Sequence, residues 1–290
     1  MDFETLYRTY QPLVYSVAYR MLGSVSDAED VAQDILMKSQ HVNQEPVRNM
    51  KAYLIKMTTN HCLNILQSAR KKREIYTGEW LPEPEIDTVK LNPMETIIQS
   101  ERVSYAFLVL LENLTPVERA IFVLRKALGY DYREIAELLN KSEVNCRKIY
   151  SRCKEKIQYE VSVHPQQSIH TEKMVHTFIQ GSETGNFEAF INLLREDVAL
   201  VTDGGGKVRA AIFPILGKQR IQTFLEAIVS KGFFQVELLP TIINGQIGIL
   251  ARNKGCAEKA ICFEWDESRE LIRRIYIVVN PDKLKHISVL

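Results

Sequence analysis

Apolar positions recur every three or four residues over most of the first half of the chain, the period of helices laid against a core. Phe3, Leu6, Tyr7, Tyr10, Leu13, Val14, Val17, Ala18 and Met21 hold that period until Gly23. Ser26 followed by Glu29 has the spacing of a capping box and predicts a second helix from Asp27 through Val31, Ile35 and Leu36. Pro46 interrupts the pattern, and a third helix is predicted over 49–73, with Tyr53, Leu54, Met57, Cys62, Ile65 and Leu66 available for packing. EWLPEPEIDTVKLNP, with three prolines and several acids, reads as a linker over 79–95. A second helical block runs over 96–160, and VHPQQS makes a further linker over 161–168.

From Ile169 the pattern changes. Two short helical stretches, about 170–181 and 186–194, precede DVALVTD and KVRAAIF, which flank three glycines as in a strand–turn–strand unit. Gln219 to Val229 is helical in pattern, and FFQVELLPTII, GQIGILAR, AICFEW and LIRRIYIVV read as strands. Early helices followed by a curved antiparallel sheet predict an α+β domain over 169–290. The fold class is therefore multidomain, with two all-α parts and an α+β part.

Within the second block, YREIAELLNKSEVNCRKIYSRCKEKI predicts a helix-turn-helix. Asn140 stands at the turn, where its tolerance of the left-handed conformation helps, and Ser142 is placed to cap the second helix. Cys146, Ile149, Tyr150, Cys153 and Ile157 share one face of that helix, and Arg147, Lys148, Ser151, Arg152 and Lys154 fall largely on the other. Such a helix fits the DNA major groove, although an amphipathic hairpin with a solvated basic face has the same pattern.

Net charge is +1, so positive potential is local rather than global. Val47 to Arg73 contains no acid but holds Arg48, Lys51, Lys56, Arg70, Lys71, Lys72 and Arg73. Cations mixed with Tyr53, Asn60, His61 and Asn64 suit single-stranded nucleic acid, and equally an ordinary solvated helix. Asp27, Glu29 and Asp30 are favourable at a helix N-terminus through the macrodipole; Asp34 lies beyond its reach, which leaves a docking face for a basic partner open. Five cysteines without C-x-x-C spacing point to reduced thiols in a cytoplasmic protein. No apolar stretch has membrane-span length, and no cofactor or metal motif is present.

SDAEDVAQDILMK, RNMKAYLIKMTTNHCLNILQSARKKR and LTPVERAIFVLRKALGYDYREIAELLNKSEVNCRKIYSRCKEKI together resemble the two blocks of an extracytoplasmic-function (ECF) sigma factor of bacterial RNA polymerase. WLPEP (Trp80, Leu81, Pro82, Glu83, Pro84), DGGGK (Asp203, Gly204, Gly205, Gly206, Lys207) and NPDKL (Asn280, Pro281, Asp282, Lys283, Leu284) resemble signatures of the SigJ-like group. Sigma factors of that group carry a fused SnoaL-like, NTF2-like cone. The resemblance implies sigma region 2 over 1–78 and sigma region 4 over 96–160. It implies that Asp27, Glu29, Asp30, Gln33 and Asp34 grip core RNA polymerase. Lys56, Asn60, His61, Asn64 and Arg70 would face the −10 element of promoter DNA, and Asn145, Arg147, Lys148, Ser151 and Arg152 the −35 element. Asn140 and Ile149 depart from the family's usual glycine and polar residue.

The resemblance further implies regulation by the fused domain in place of a dedicated anti-sigma factor. The three short strings form the expected intramolecular interface, with the tail docking on the first helical domain and the linker. Trp80 is its apolar anchor, and Lys207 or Lys283 is expected to pair with Glu83 or Glu85. The alternative is a bifunctional chain whose tail binds or transforms a small molecule, using Asp203, His176 or Asp266 as acid–base groups. Asp203, just before three glycines, reads as a turn residue rather than a pocket floor, and His176 as a packed or surface histidine. GGGK followed by Val208 lacks the spacing and the Ser or Thr of a phosphate loop.

Overall fold

The computed structural model describes residues 3–39, 49–73, 76–86, 103–157 and 168–287; for 69–73 it describes the backbone alone. The Pro46 break, Arg48, the side chains of Arg70 to Arg73, the start of the second helical block and most of VHPQQS lie outside those residues. The chain divides into two units. One holds the described parts of 1–75 and 107–163, the other those of 76–93, 103–106 and 164–290.

The first unit is helical. Helices α1 (Phe3–Leu22), α2 (Val25–Ser39) and α3 (Met50–Arg73) pack through fully buried Val14, Val17, Ala28, Leu36, Leu54 and Ile55. Helix α2 starts earlier than the Ser26–Glu29 spacing predicts, because Ser24 Oγ accepts from the Asp27 amide at 3.2 Å. A short helix α4 (Tyr105–Leu111) leads to α5 (Pro116–Phe122), which runs into a π-helical turn, Val123–Ala127. Helix α5 carries a capping box: the Thr115 amide donates to Glu118 at 2.9 Å, and Pro116 opens the first turn. Arg119 on α5 is buried; its Nη1 donates to the Met21 carbonyl at 2.8 Å and to Glu112 Oε1 at 2.9 Å. That carbonyl lies in the last turn of α1, where acceptors have no helical partner. One guanidinium thus ties the second helical block to the first.

Helices α6 (Tyr132–Leu139) and α7 (Glu143–Lys156) form the helix-turn-helix. Asp131 and Glu134 make a reciprocal cap on α6, each bond 2.8 Å long. Asn140 takes the left-handed conformation, φ 51° and ψ 52°, and Ser142 caps α7 by accepting from the Asn145 amide at 3.3 Å.

The second unit is α+β. Helices α8 (Thr171–Thr184), α9 (Glu188–Ile191) and α10 (Lys218–Val229) cover one face of a six-stranded sheet. Its strands are β1 (Leu194–Asp203), β2 (Ile215–Leu216), β3 (Glu237–Ile243), β4 (Gln246–Asn253), β5 (Cys256–Trp265) and β6 (Ile272–Val278), in the order β2-β1-β6-β5-β4-β3. Two expectations need correction. The sheet is mixed rather than antiparallel, because β1 pairs parallel with β6. KVRAAIF is a loop, not a strand: the amides of Lys207 and Val208 turn back to the Gly204 carbonyl, and the strand after it is the two-residue β2.

Phe178, Phe190, Ile261, Phe263, Ile275 and Ile277 fill the core between helices and sheet. The alternate residues of β5 and β6 are buried too. Tyr276 donates to Glu264 at 2.6 Å, and its ring meets Tyr105 edge-on at 5.5 Å. Burial on both faces explains why these two strands read as near-continuous apolar runs.

Candidate functional site

Three polar faces of the first unit are the ones the sequence singles out. On α2, Asp27, Glu29, Asp30, Gln33 and Asp34 are all exposed, and Asp34 makes a loose contact with Lys38 at 3.8 Å. On α3, Lys56, Asn60 and Asn64, one helical turn apart in succession, are exposed, and His61 next to Asn60 is half-buried. On α7, Asn145, Arg147, Lys148, Ser151 and Arg152 are exposed, while Cys146 and Cys153 on the opposite face are fully buried. Ile149 is half-buried and so belongs to the margin of that basic face. Arg147 is engaged within the motif: its Nη2 donates to Glu143 at 2.6 Å, and its guanidinium lies 4.7 Å from the centre of the Tyr132 ring.

Helices α3 and α6 share an open groove of about 650 Å³. Lys51, Tyr53 and Lys56 line it from α3, and Tyr130, Glu134 and Glu137 from the α6 side. The cationic side of α3 therefore faces part of the helix-turn-helix in this conformation.

In the second unit the three signature strings meet at one buried carboxylate. Asp203 closes β1 and is 1% exposed. It accepts from Tyr76 Oη at 2.5 Å, the Leu81 amide at 2.9 Å, the Gly205 amide at 3.0 Å and Lys283 Nζ at 2.6 Å. Lys283 also donates to the Leu81 carbonyl, and its ammonium lies 3.3 Å from the centre of the Trp80 ring. Tyr76 packs edge-on against Trp80 at 4.8 Å and accepts from Asn280 Nδ2 at 2.9 Å. Burial, and then the bond to Asp203, push the Tyr76 phenol far above its ordinary value, so it stays a donor.

Glycine has a steric reason in two places here. A Cβ on Gly204 would sit 2.2 Å from the Val208 carbonyl oxygen, and one on Gly205, at φ +60°, would sit 2.3 Å from the Asn280 amide. Beyond the hub, Glu85 and Asn244 exchange hydrogen bonds of 2.8 and 3.1 Å, and Ile86 bridges Ile243 at the end of edge strand β3. Pro82 accepts from Tyr105 Oη at 2.8 Å, and His286 Nε2 lies 2.9 Å from the Pro84 carbonyl. Residues 76–86 are thus laid along the C-terminal sheet.

The expected partners of the lysines are corrected. Lys283 pairs with Asp203, and Lys207 with Asp282 at 2.5 Å, whereas Glu83 lies 3.8 Å from His286. Asp203 is a buried acceptor rather than a simple turn residue. Sequence reasoning missed Tyr76, Tyr105, Asn244 and His286. Tyr76 carried a signal, an aromatic four residues before Trp80 in a polar stretch, but the others make sense only after folding.

The cone has an apolar cavity of about 410 Å³. Thr202, Ala210, Phe224, Ile228, Phe233 and Ile277 contribute to its wall, and Arg209 and Lys231 are its cationic members. None of the three acid–base candidates lines it. Asp203 is in the hub, His176 is exposed on α8, and Asp266 accepts from the Glu270 and Leu271 amides in a turn.

Residues 6–72 match the model of Sigma-70 region 2, and residues 104–157 that of Sigma-70, region 4. The ECF RNA polymerase sigma factor SigJ of Mycobacterium tuberculosis is 30% identical over 240 residues, 80% of this chain and 76% of that protein. The probable ECF RNA polymerase sigma factor SigI of the same species is 26% identical over 198 residues, 67% of each chain. A crystal structure of M. tuberculosis SigJ superimposes with a TM-score of 0.77 over 98% of both chains at 23% identity, which shows a shared fold. Two helical blocks in the right order, an acidic helix, a helix-turn-helix and an α+β tail agree with these likenesses: the chain belongs to the extracytoplasmic-function sigma factors, which bring core RNA polymerase to promoter DNA and start transcription.

Proposed function

We propose that this sigma factor is held in check by its own C-terminal domain, acting through the linker. The observation that carries this reading is the Asp203–Lys283 hub, which clamps Tyr76, Trp80 and Leu81 to the cone. The −10 and −35 elements, about 25 base pairs apart by their labels, are ~85 Å apart at about 3.4 Å per step. Helices α3 and α6 line one groove, so the two halves must part before both elements are engaged. A linker fixed along residues 76–86 restricts that separation. Release follows binding to polymerase, a change in the cone, or both.

In this reading Asp27, Glu29, Asp30, Gln33 and Asp34 grip the polymerase. Lys56, Asn60, His61, Asn64 and Arg70 hold the opened −10 strand, and Asn145, Arg147, Lys148, Ser151 and Arg152 meet the −35 duplex. Cations on exposed helix faces supply salt-dependent phosphate contacts, and an unstacked base captured on α3 offsets an unpairing cost of about a few kcal/mol. The protein works in the cytoplasm without a dedicated anti-sigma factor, and the tail acts by contact rather than catalysis. The test is truncation after Gln167 and, separately, after Val279, with promoter-dependent transcription by added core polymerase as the readout. Loss of the hub raises basal transcription; unchanged output from both truncations refutes regulation by the tail.

A further inference from the structure

We infer that the cone's cavity is a regulatory site for an amphipathic anion, a carboxylate carried on an aliphatic or aromatic body. Its volume, about 410 Å³, falls within the range of about 300–1,000 Å³ typical of small-molecule sites. The lining separates by chemistry. Phe224, Ile228, Phe233, Ile277 and Val279 form an apolar wall, and Arg209 and Lys231 are exposed cations in the same lining. Neither cation has a carboxylate partner among the described residues, and no carboxylate lines the cavity. An apolar body with one negative end matches that division; a cation or a polar sugar does not.

The cavity is continuous in sequence with the linker hub. Thr202 lines it, and the next residue is Asp203. Val279 lines it, donates its amide to the Asp203 carbonyl at 2.8 Å, and is followed by Asn280. Arg209, Ala210 and Ala211 lie on the loop leaving DGGGK, and that loop is pinned by Thr202 Oγ1 donating to the Ala211 carbonyl at 3.0 Å. An occupant that draws in Arg209 therefore pulls on a loop anchored at Asp203 and Gly204. Binding is thereby coupled to how firmly Tyr76, Trp80 and Leu81 are held. This second step rests on the regulatory reading above; the ligand site itself does not.

The test uses the full chain, with decanoate as probe and decanol and decylamine as controls, titrated calorimetrically. Decanoate is expected to bind saturably and more tightly than either control. Joint replacement R209Q/K231Q is expected to weaken it about tenfold or more, the size of one lost charge-assisted contact. Equal binding of all three probes, no saturable binding, or full affinity in the double variant overturns the site. Coupling is read separately by fluorine NMR of protein labelled with 5-fluorotryptophan. Decanoate is expected to shift the Trp80 resonance in the parent protein but not in R209Q/K231Q at the same concentration. Saturable binding with an unmoved Trp80 signal overturns the coupling and leaves the linker hub to its own truncation test.

Discussion

Replacing Lys283 by Met isolates the hub. The substitution keeps an unbranched apolar stem and removes an ammonium whose side chain is 4% exposed, from a partner that is 0% exposed. Breaking a buried pair by removing one charge typically costs about 3–5 kcal/mol, because the other charge is stranded. Asp203 is not wholly stranded here: Tyr76 and the amides of Leu81 and Gly205 still donate to it. Against that, the bond to the Leu81 carbonyl and the cation–π contact with Trp80 are also lost, the latter worth about 2 kcal/mol when desolvated. A net loss of about 2–4 kcal/mol follows. Because three of the lost contacts end on Trp80, Leu81 and Asp203, the loss should emerge as local opening of the linker. Amide exchange over residues 76–86 is then expected to quicken about 30- to 1,000-fold, at tenfold per 1.4 kcal/mol. Strand β5, away from these bonds, should keep its protection. Basal transcription should rise with the exchange. Unchanged protection over 76–86, or equal loss there and in β5, would refute the hub as a separable clamp.

Other consequences are as direct. Gly205→Ala places a methyl group against the Asn280 amide in a left-handed backbone, and should mimic K283M in exchange and transcription while leaving the first unit's helices intact by circular dichroism. Arg152→Ala should weaken binding to a −35 duplex by about 1–3 kcal/mol if that side chain reads a base, measured by fluorescence anisotropy. Arg147→Ala should cost less, because Arg147 must first leave Glu143 and the Tyr132 ring; a larger loss than for Arg152 refutes this ordering. Burial pushes the Cys62 thiol up to about 12 and Cys153 up to about 11, and raises Cys146 and Cys262 too, whereas Cys256 is exposed. A raised value keeps a thiol neutral above the ordinary 9.0, so alkylation near pH 9 should label Cys256 rapidly and the other four only after unfolding. Mass spectrometry of peptides over time checks it.

What could be read from the sequence follows the range of the forces involved. Caps and turns act over three or four residues, so Asn140 and Ser142 were legible, and the helix-turn-helix with them. Even there a competing hydroxyl is invisible: Ser24 and Ser26 both precede α2, and only the folded backbone shows Ser24 meeting the Asp27 amide. The mixed sheet was not legible, because alternation marks a strand but carries no direction for its neighbour, and β1 lies beside β6 some 70 residues on. KVRAAIF failed for a related reason. Its apolar residues suit a strand, but Gly205 and Gly206 at positive φ turn the chain away from β1, leaving Ala210 and Ala211 on the cavity wall.

The hub shows the same limit from the other side. WLPEP, DGGGK and NPDKL stood out because they resemble signatures of one group of sigma factors, and their lack of a local structural need as a set then pointed to a long-range contact. The pairing inside the contact was beyond reach, since choosing among acids requires knowing which is buried. Exposed Glu–Lys pairs near a linker are worth roughly 0–1 kcal/mol and impose little. A lysine buried beneath tryptophan must find a buried carboxylate, and on this fold Asp203, at the end of β1, is placed to supply it. The same requirement ties the linker's fate to the end of β1, which also borders the cavity through Thr202. Clamp and cavity therefore share one strand end, and that is the route the proposed coupling takes.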